Sequence, residues 1–192
     1  MAEANKNKIF NIPNLLSLFR ICLIPLFVVA YEKGHNYIAC GILLLSGLTD
    51  ILDGRIARKY NMITEFGKAL DPIADKCTQI VVAFCLIRRF PHMIILFLFL
   101  LLKETVTGIV GLVVIKKTKR VNAAVWHGKL TTVLLYIVMS VHILWSDIPP
   151  NISDLSIGLC LGIMLISFIL YLIMHYTSIK EAGKKGESGP EE

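Results

Sequence analysis

Long apolar runs separated by short polar segments make up most of the chain. A helix needs about 20 consecutive apolar residues to cross a bilayer, and six runs approach or exceed that length. They predict helices over residues 15–31, 37–60, 64–87, 91–115, 128–145 and 152–176. Because the runs are continuous and do not alternate apolar with polar positions, they disfavour a transmembrane β-barrel. The pattern predicts an all-α integral membrane protein with six transmembrane helices.

The segments outside these runs set the domain organisation. Residues 1–14 are polar and predict an N-terminal cytoplasmic or interfacial segment, in which residues 3–12 could form a short helix. Residues 15–176 are predicted to form one six-helix transmembrane domain without an internal repeat. Residues 177–192 are polar and rich in glycine, which predicts a disordered cytoplasmic tail.

Composition and charge agree with a membrane protein and give its orientation. Hydrophobic residues make up 55% of the chain and charged residues 18%, whereas a soluble domain carries about a quarter charged residues. With the N-terminus inside, fourteen lysines and arginines fall in the inner segments, against only Lys33, Arg88 and Arg89 in the outer loops. The positive-inside rule therefore predicts cytoplasmic termini in a cell (inner) membrane. Arg88 and Arg89 are expected to reach the outer lipid head groups.

Four aspartates interrupt the second and third apolar runs, in the stretch DILDGRIARKYNMITEFGKALDPIAD. Residues three or four apart share a face of a helix, so Asp50 and Asp53 point the same way, as do Asp71 and Asp75. The short connection between the two runs makes the helices antiparallel neighbours. The four carboxylates are therefore expected to converge in a polar cavity that faces the cytoplasm.

Carboxylates that lie this close repel one another strongly. Two unit charges 4 Å apart interact by about 4 kcal/mol at an effective dielectric constant of 20, so cations lie between them or some are protonated. Oxygen ligands favour hard ions such as Mg²⁺, Mn²⁺ or Ca²⁺, and four carboxylates suit two ions about 3.5–4 Å apart. The alternative is a network of salt bridges with the nearby basic residues, which are Arg55, Arg58, Lys59, Lys68 and Lys76.

Small residues accompany the aspartates. Gly54 and Ala57 follow the first pair, and Gly67 precedes the second pair by one helical turn. A glycine inside a helix costs about 1 kcal/mol relative to alanine, and here it would allow a ligand or a helix backbone to approach closely. Arg58 is suited to hold a phosphate oxygen.

Residues 50–75 read D-x2-D-G-x2-A-R-x8-G-x3-D-x3-D, and this spacing resembles the signature of the CDP-alcohol phosphotransferase family. The stretches NIPNLLSLFRI and GKLTT are similar to family members that make phosphatidylglycerophosphate. The resemblance implies a six-helix membrane fold that is usually a homodimer. It also implies an enzyme that transfers the substituted phosphate of a CDP-linked donor to an alcohol and releases CMP.

The same resemblance assigns roles to the residues of the motif. It implies that Asp50, Asp53 and Asp71 bind two metal ions, Mg²⁺ or Mn²⁺. Asp75 would both contact metal and serve as the general base. The CDP pocket would be shaped by Gly54, Ala57, Arg58 and Gly67. The donor would be CDP-diacylglycerol, with its tails in the membrane lipids, and no nucleic-acid partner is expected.

The acceptor alcohol is less clearly marked in the sequence. The resemblance implies glycerol 3-phosphate, an anion that needs basic residues, and the candidates are Lys103, Lys129 and Arg20. Arg20 could instead pair with an aspartate or a lipid phosphate, and Lys103 could simply pair with Glu104. Cardiolipin synthases of the same family accept phosphatidylglycerol, which is therefore the alternative acceptor.

Two other classes of function also fit a membrane protein with acidic residues. A divalent-cation transporter would carry carboxylates along its ion path. Transporters are typically built from repeats with interrupted helices near the midplane, and this chain shows neither pattern. A non-catalytic scaffold has no reason to hold four aspartates and two glycines at these positions.

Overall fold

The computed structural model describes residues 11–60, 65–118 and 126–187, which form six α-helices joined by short connections. The helices are α1 (Ile12–Glu32), α2 (Asn36–Lys59), α3 (Glu65–Ile87), α4 (Met93–Thr118), α5 (Trp126–Leu144) and α6 (Pro150–Glu187). Each predicted run corresponds to one helix. Of the N-terminal segment predicted over residues 1–14, the first ten residues lie outside the described residues, and with them most of the short helix proposed over 3–12.

The largest difference between prediction and structure is the length of the last helix. The composition of residues 177–192 predicts a disordered tail, whereas α6 continues to Glu187. Glycine disfavours a helix, but the lysine, glutamate and alanine residues between the glycines have high helix propensity. Extending an existing helix also avoids the unfavourable nucleation step. Residues 188–192 lie outside the described part of the chain.

Among the described residues, four helices are long and apolar enough to cross a membrane. Their spanning parts are Ile12–Glu32, Asn36–Ala57, Met93–Gly111 and Pro150–Thr177. The apolar part of α5, Gly128–Leu144, is shorter, and α3 carries Asp71, Asp75 and Lys76 in its first half. Both of these helices pack against α2. The chain is therefore a multi-pass membrane protein in which the polar half of α3 lies against a spanning helix.

Helix packing forms an apolar core and an apolar outer surface. Helix α1 packs against α2 and α3, α4 against α3 and α6, and α5 against α2 and α6. The core between them includes the almost fully buried side chains of Leu43, Leu86, Met93, Leu100, Met139 and Ile143. Large apolar side chains that are about half exposed include Leu98, Leu102, Leu159 and Ile166. Exposing apolar surface to water costs about 25 cal/mol per Å², a cost that contact with lipid removes.

A tight turn places α1 and α2 side by side. Gly34 has a φ of +76°, a left-handed conformation that a glycine adopts without a Cβ clash. The N–H of Gly34 donates to the carbonyl oxygen of Tyr31, and that of His35 donates to Ala30. Because both helices rise about 1.5 Å per residue, the second half of α2 returns to the level of the middle of α1.

Acidic partners neutralise the two arginines of the predicted outer loops. Nη1 of Arg88 donates to both carboxylate oxygens of Glu32 at 2.8 Å, and Nη2 of Arg89 lies 3.2 Å from Oδ1 of Asp147. Exposed pairs of this kind add little to stability, but they cancel the arginine charges at this end of the bundle. The structure thus shows ion pairs within the protein for both arginines, and their contact with lipid head groups stays a prediction.

Candidate active site

Three aspartates from two helices lie together near the connection between α2 and α3. Asp50 and Asp53 are one turn apart on α2, and Asp71 lies near the start of α3. One carboxylate oxygen from each of the three lies within 4.8 Å of the other two. Asp53 is buried, whereas Asp50 and Asp71 are partly exposed, so the cluster is accessible from one side. The structure therefore brings together three of the four aspartates that the sequence singles out.

The fourth aspartate lies one helical turn further along α3, outside this group of three. Oδ2 of Asp75 accepts a hydrogen bond of 2.8 Å from Nε2 of Gln79, and Oδ1 accepts one of 3.4 Å from the hydroxyl of Tyr136. Nζ of Lys76 lies 3.8 Å from Oδ2. The Asp75 side chain keeps 16% of its surface exposed. Asp75 is thus a partly exposed carboxylate that is held separately from the other three.

Arg20 reaches into the cluster from the middle of α1. Its Nη1 donates to Asp50, and its Nη2 donates to Asp53, at 2.5 Å from Oδ2, and to Asp71. The residue is fully buried, and a buried guanidinium is tolerated only when its charge is paired. The structure therefore confirms that Arg20 pairs with aspartates. Its role toward the acceptor stays a prediction.

The cluster has the donor atoms and the charge of a site for a hard cation. Its ligands would be the carboxylate oxygens that Mg²⁺, Mn²⁺ and Ca²⁺ prefer, and ligands on opposite sides of such an ion lie about 4–5 Å apart. The 4.8 Å spread of the three oxygens agrees with that geometry. The buried Oδ1 of Asp53 receives no hydrogen bond from any side chain in the described ranges. When all three carboxylates are ionised, their charge exceeds the single charge of Arg20, so the residues fit a divalent cation.

Small residues border the cluster on both helices. Gly54 and Ala57 on α2 are partly buried, and so is Gly67 on α3. None of the three places a bulky side chain beside the carboxylates. Arg58 follows Ala57 on α2, and its side chain lies outside the described part of the structure.

A second group of charged side chains joins α3 to α4. Nζ of Lys76 lies 3.0 Å from Oε2 of Glu104, and Nζ of Lys103 lies 2.9 Å from Oε1 of the same carboxylate. Lys76 also lies next to Asp75, so the group reaches the candidate base. Of the two lysines predicted to bind the acceptor, Lys103 therefore belongs to this network, and Lys129 is exposed on the first turn of α5.

The structure adds two residues that the sequence analysis did not single out. Gln79 is the only glutamine of the chain and lies four residues after Asp75, a spacing that places both on one face of α3. The four-residue spacing from Asp75 could therefore have identified Gln79 from the sequence alone. Tyr136 is 61 residues away from Asp75 on another helix, so no local pattern indicates their contact.

The fold and the site define a class of protein, a helical multi-pass membrane protein with a carboxylate cluster suited to hard cations and held between its helices. The model of the CDP-alcohol phosphatidyltransferase family matches residues 10–179, and the chain belongs to this family. The match runs from α1 into α6 and includes all four aspartates. The resemblance found in residues 50–75 is therefore confirmed.

Several similar proteins carry the name CDP-diacylglycerol–glycerol-3-phosphate 3-phosphatidyltransferase. The one from Haemophilus influenzae is 44% identical over 86 residues, which is 43% of this chain and 46% of that protein. Those from Shigella flexneri and Escherichia coli (strain K12) are 31% identical over 180 residues, which is 90% of this chain and 96% of each relative. The similarity extends well beyond the stretch that carries the aspartates.

Proposed function

We propose that this chain is an enzyme of phospholipid synthesis. It transfers the phosphatidyl group of CDP-diacylglycerol to glycerol 3-phosphate, giving phosphatidylglycerophosphate and CMP. The family match and the names of relatives aligned over 90% of the chain support this activity. The observation that carries the proposal is the convergence of Asp50, Asp53 and Asp71 at one site between the helices. A diphosphate donor needs such a site because its negative charge opposes the approach of a nucleophile.

The proposed reaction gives each aspartate a task. Asp50, Asp53 and Asp71 would hold two divalent cations, Mg²⁺ or Mn²⁺, with Asp75 as a further ligand. When bound, such cations neutralise the diphosphate and stabilise the departing CMP. Asp75 takes the proton of the attacking hydroxyl. The bond from that oxygen to the phosphorus forms, the bond from the phosphorus to the CMP oxygen breaks, and the proton leaves Asp75 for water.

The proposal includes a topology and a nucleotide pocket. All six helices cross the cell (inner) membrane, the termini and the cavity face the cytoplasm, and the protein is a homodimer. The distribution of basic residues along the chain supports this orientation. The diacylglycerol tails of the donor remain in the surrounding lipid. The CDP part of the donor lies against Gly54, Ala57, Arg58 and Gly67.

The acceptor is proposed to bind on the side of α3 that contacts α4. The proposed acceptor-binding residues are Lys103, Lys129 and Arg20. Lys103 has the best support, because it shares Glu104 with Lys76, and Lys76 lies beside Asp75. A phosphate held by Lys103 would thus bring the acceptor hydroxyl toward the candidate base.

Phosphatidylglycerol is the second candidate acceptor, and its product would be cardiolipin. The observation in its favour is the pairing of Lys103 with Glu104. Two lysines and one glutamate leave this group with a net charge of only +1. The single phosphodiester charge of phosphatidylglycerol matches that value better than the higher charge of glycerol 3-phosphate.

Product analysis tests the proposal. Purified protein in detergent is supplied with CDP-diacylglycerol, Mg²⁺ and either glycerol 3-phosphate, phosphatidylglycerol or another alcohol, and Asp53→Asn is the inactive control. We expect metal-dependent CMP release with glycerol 3-phosphate and a lipid with the mass of phosphatidylglycerophosphate. Cardiolipin as the only product would support the second acceptor. No metal-dependent CMP release with any alcohol would reject the enzyme and favour a divalent-cation transporter.

A further inference from the structure

Two hydrogen-bond donors hold Asp75 from different directions. Gln79 lies one turn further along α3, and its Nε2 donates to Oδ2 over 2.8 Å. Tyr136 reaches across from α5, and its hydroxyl donates to Oδ1 over 3.4 Å. Because each carboxylate oxygen has its own donor, the two contacts restrain both the direction of the side chain and the plane of the carboxylate.

The hydrogen bond to Asp75 explains why a polar side chain is buried at position 79. Gln79 is 1% exposed, and a buried amide costs about 1–3 kcal/mol unless it is hydrogen-bonded. The rest of α3, residues 80–87, is entirely apolar. The hydrogen bond to Asp75 offsets the cost of burying the amide, so the two side chains form a matched pair where the polar half of α3 ends.

Gly47 on α2 provides the space that Tyr136 needs. A Cβ at position 47 would lie 3.1 Å from Cε1 and 3.4 Å from Cδ1 of the Tyr136 ring. Carbon atoms pack without repulsion at about 3.5–4.0 Å, so a larger residue would push against the ring. Three helices therefore meet here, since α5 carries the ring, α2 leaves room for it, and α3 presents the carboxylate.

We propose that Gln79 and Tyr136 are positioning residues that orient the Asp75 carboxylate toward the attacking hydroxyl. This inference rests on the proposed function, in which Asp75 is the general base. Oδ2 accepts the shorter hydrogen bond, from Gln79, and lies 3.8 Å from Nζ of Lys76, whereas the contact of Oδ1 with Tyr136 is longer. Oδ1 is thus the oxygen that receives the proton, as the O–H bond of the acceptor breaks and an O–H bond to Asp75 forms.

Orientation matters because proton transfer requires the two oxygens to come within hydrogen-bond reach, about 2.6–3.2 Å. A misplacement of about 1 Å can reduce a rate about 100-fold. Removing one of the two donors leaves the carboxylate held by the other. The loss expected for each single substitution is therefore smaller, about tenfold in kcat.

Substitutions that remove one donor and keep the bulk of the side chain test the proposal. We expect Gln79→Leu and Tyr136→Phe each to lower kcat about tenfold while the KM for CDP-diacylglycerol stays within about twofold. Tyr31→Phe is the control, because its ring stacks on Phe27 in the second half of α1, and it should keep the wild-type kcat. A merely structural role would lower Tm without lowering the kcat of the folded protein.

Two alanine substitutions on α2 test the position of the ring separately from its hydroxyl. Gly47→Ala pushes against Tyr136, whereas a Cβ at Gly41 meets no atom of another described part of the chain within 4 Å. Both substitutions raise helix propensity by the same amount. We expect Gly47→Ala to lower kcat at unchanged KM for CDP-diacylglycerol, and Gly41→Ala to keep the wild-type kcat. A wild-type kcat in Gly47→Ala would count against positioning through the ring.

The results separate this inference from the proposed function. Wild-type kcat in both Gln79→Leu and Tyr136→Phe, together with loss of turnover in Asp75→Asn, overturns the inference and leaves the proposed function intact. Wild-type turnover in Asp75→Asn would show that Asp75 is not the general base. That result overturns the inference and also the role of Asp75 in the proposed function. A higher KM for CDP-diacylglycerol at unchanged kcat also overturns the inference, because it assigns the two donors to substrate binding. In the Asp75→Asn background, we expect Gln79→Leu to cause no further loss, since both act through one group.

Discussion

Arg20 and Asp53 form an ion pair that is closed to solvent, with Nη2 of the arginine 2.5 Å from Oδ2 of the aspartate and side-chain exposures of 0% and 3%. The same guanidinium donates to Asp50 on α2 and to Asp71 on α3, so one side chain of α1 links three helices. Buried charges are tolerated only while they are paired. This arrangement has one consequence for stability and another for cation binding.

Arg20→Ala is expected to destabilise the protein when divalent cations are withheld. The substitution leaves Asp53 buried without its counter-charge, and removing one partner of a buried pair costs about 3–5 kcal/mol. Arg88→Ala is the matched control, because Arg88 pairs with Glu32 at an exposed site, where a pair contributes about 0–1 kcal/mol. Unfolding in detergent with EDTA measures both variants. Equal losses of stability would contradict the structural role of Arg20.

Arg20→Gln is expected to bind divalent cations more tightly than the wild type. The guanidinium contacts the same three carboxylates that would bind a cation, and one neighbouring positive charge at an effective dielectric constant of 20 is enough to change the Kd about tenfold or more. Calorimetric titration with Mn²⁺ and the rise of Tm on adding Mg²⁺ both report this change. Asp53→Asn removes a ligand and should bind more weakly. Weaker binding in Arg20→Gln would mean that Arg20 supports the cation site.

Asp75→Asn is expected to leave a folded protein that binds CDP-diacylglycerol and turns over very slowly. An amide cannot take the proton of the acceptor, and loss of a general base lowers the rate by about 10²–10⁴. Asp154→Asn is the control, because Asp154 pairs with His92 at the other end of the bundle. CMP release at saturating substrate and the shift of Tm by CDP-diacylglycerol measure the two properties. Near-normal turnover would exclude Asp75 as the base.

Lys103→Ala is expected to raise the KM for glycerol 3-phosphate more than the KM for CDP-diacylglycerol. The substitution removes a positive charge, while Lys76 keeps its 3.0 Å contact with Glu104. A hydrogen bond to a charged group contributes about 1.5–3 kcal/mol, so the acceptor KM should rise about tenfold or more. The same KM measurements on Lys129→Ala test the exposed lysine on α5. If neither variant changes the acceptor KM, the acceptor binds elsewhere.

Local patterns in the sequence are sufficient to predict the helices and the helix faces on which the aspartates lie. Apolar runs of about 20 residues predict membrane-spanning helices wherever they occur, and each of the six runs is helical in the structure. The spacing of Asp50 and Asp53 places both on one face of a helix, whatever surrounds them. The regular spacing within residues 50–75 also identified the family, which the match over residues 10–179 confirms.

The sequence by itself thus determined which segments are helical and which face of each helix carries the acidic groups, because both depend on residues within one or two turns. Only the tertiary structure decided that Arg20 neutralises three of the aspartates and that Tyr136 reaches the fourth. These contacts join residues 30 to 61 positions apart. The partner of a buried charge depends on how the apolar surfaces of all the helices pack together, and no short stretch of sequence contains that information.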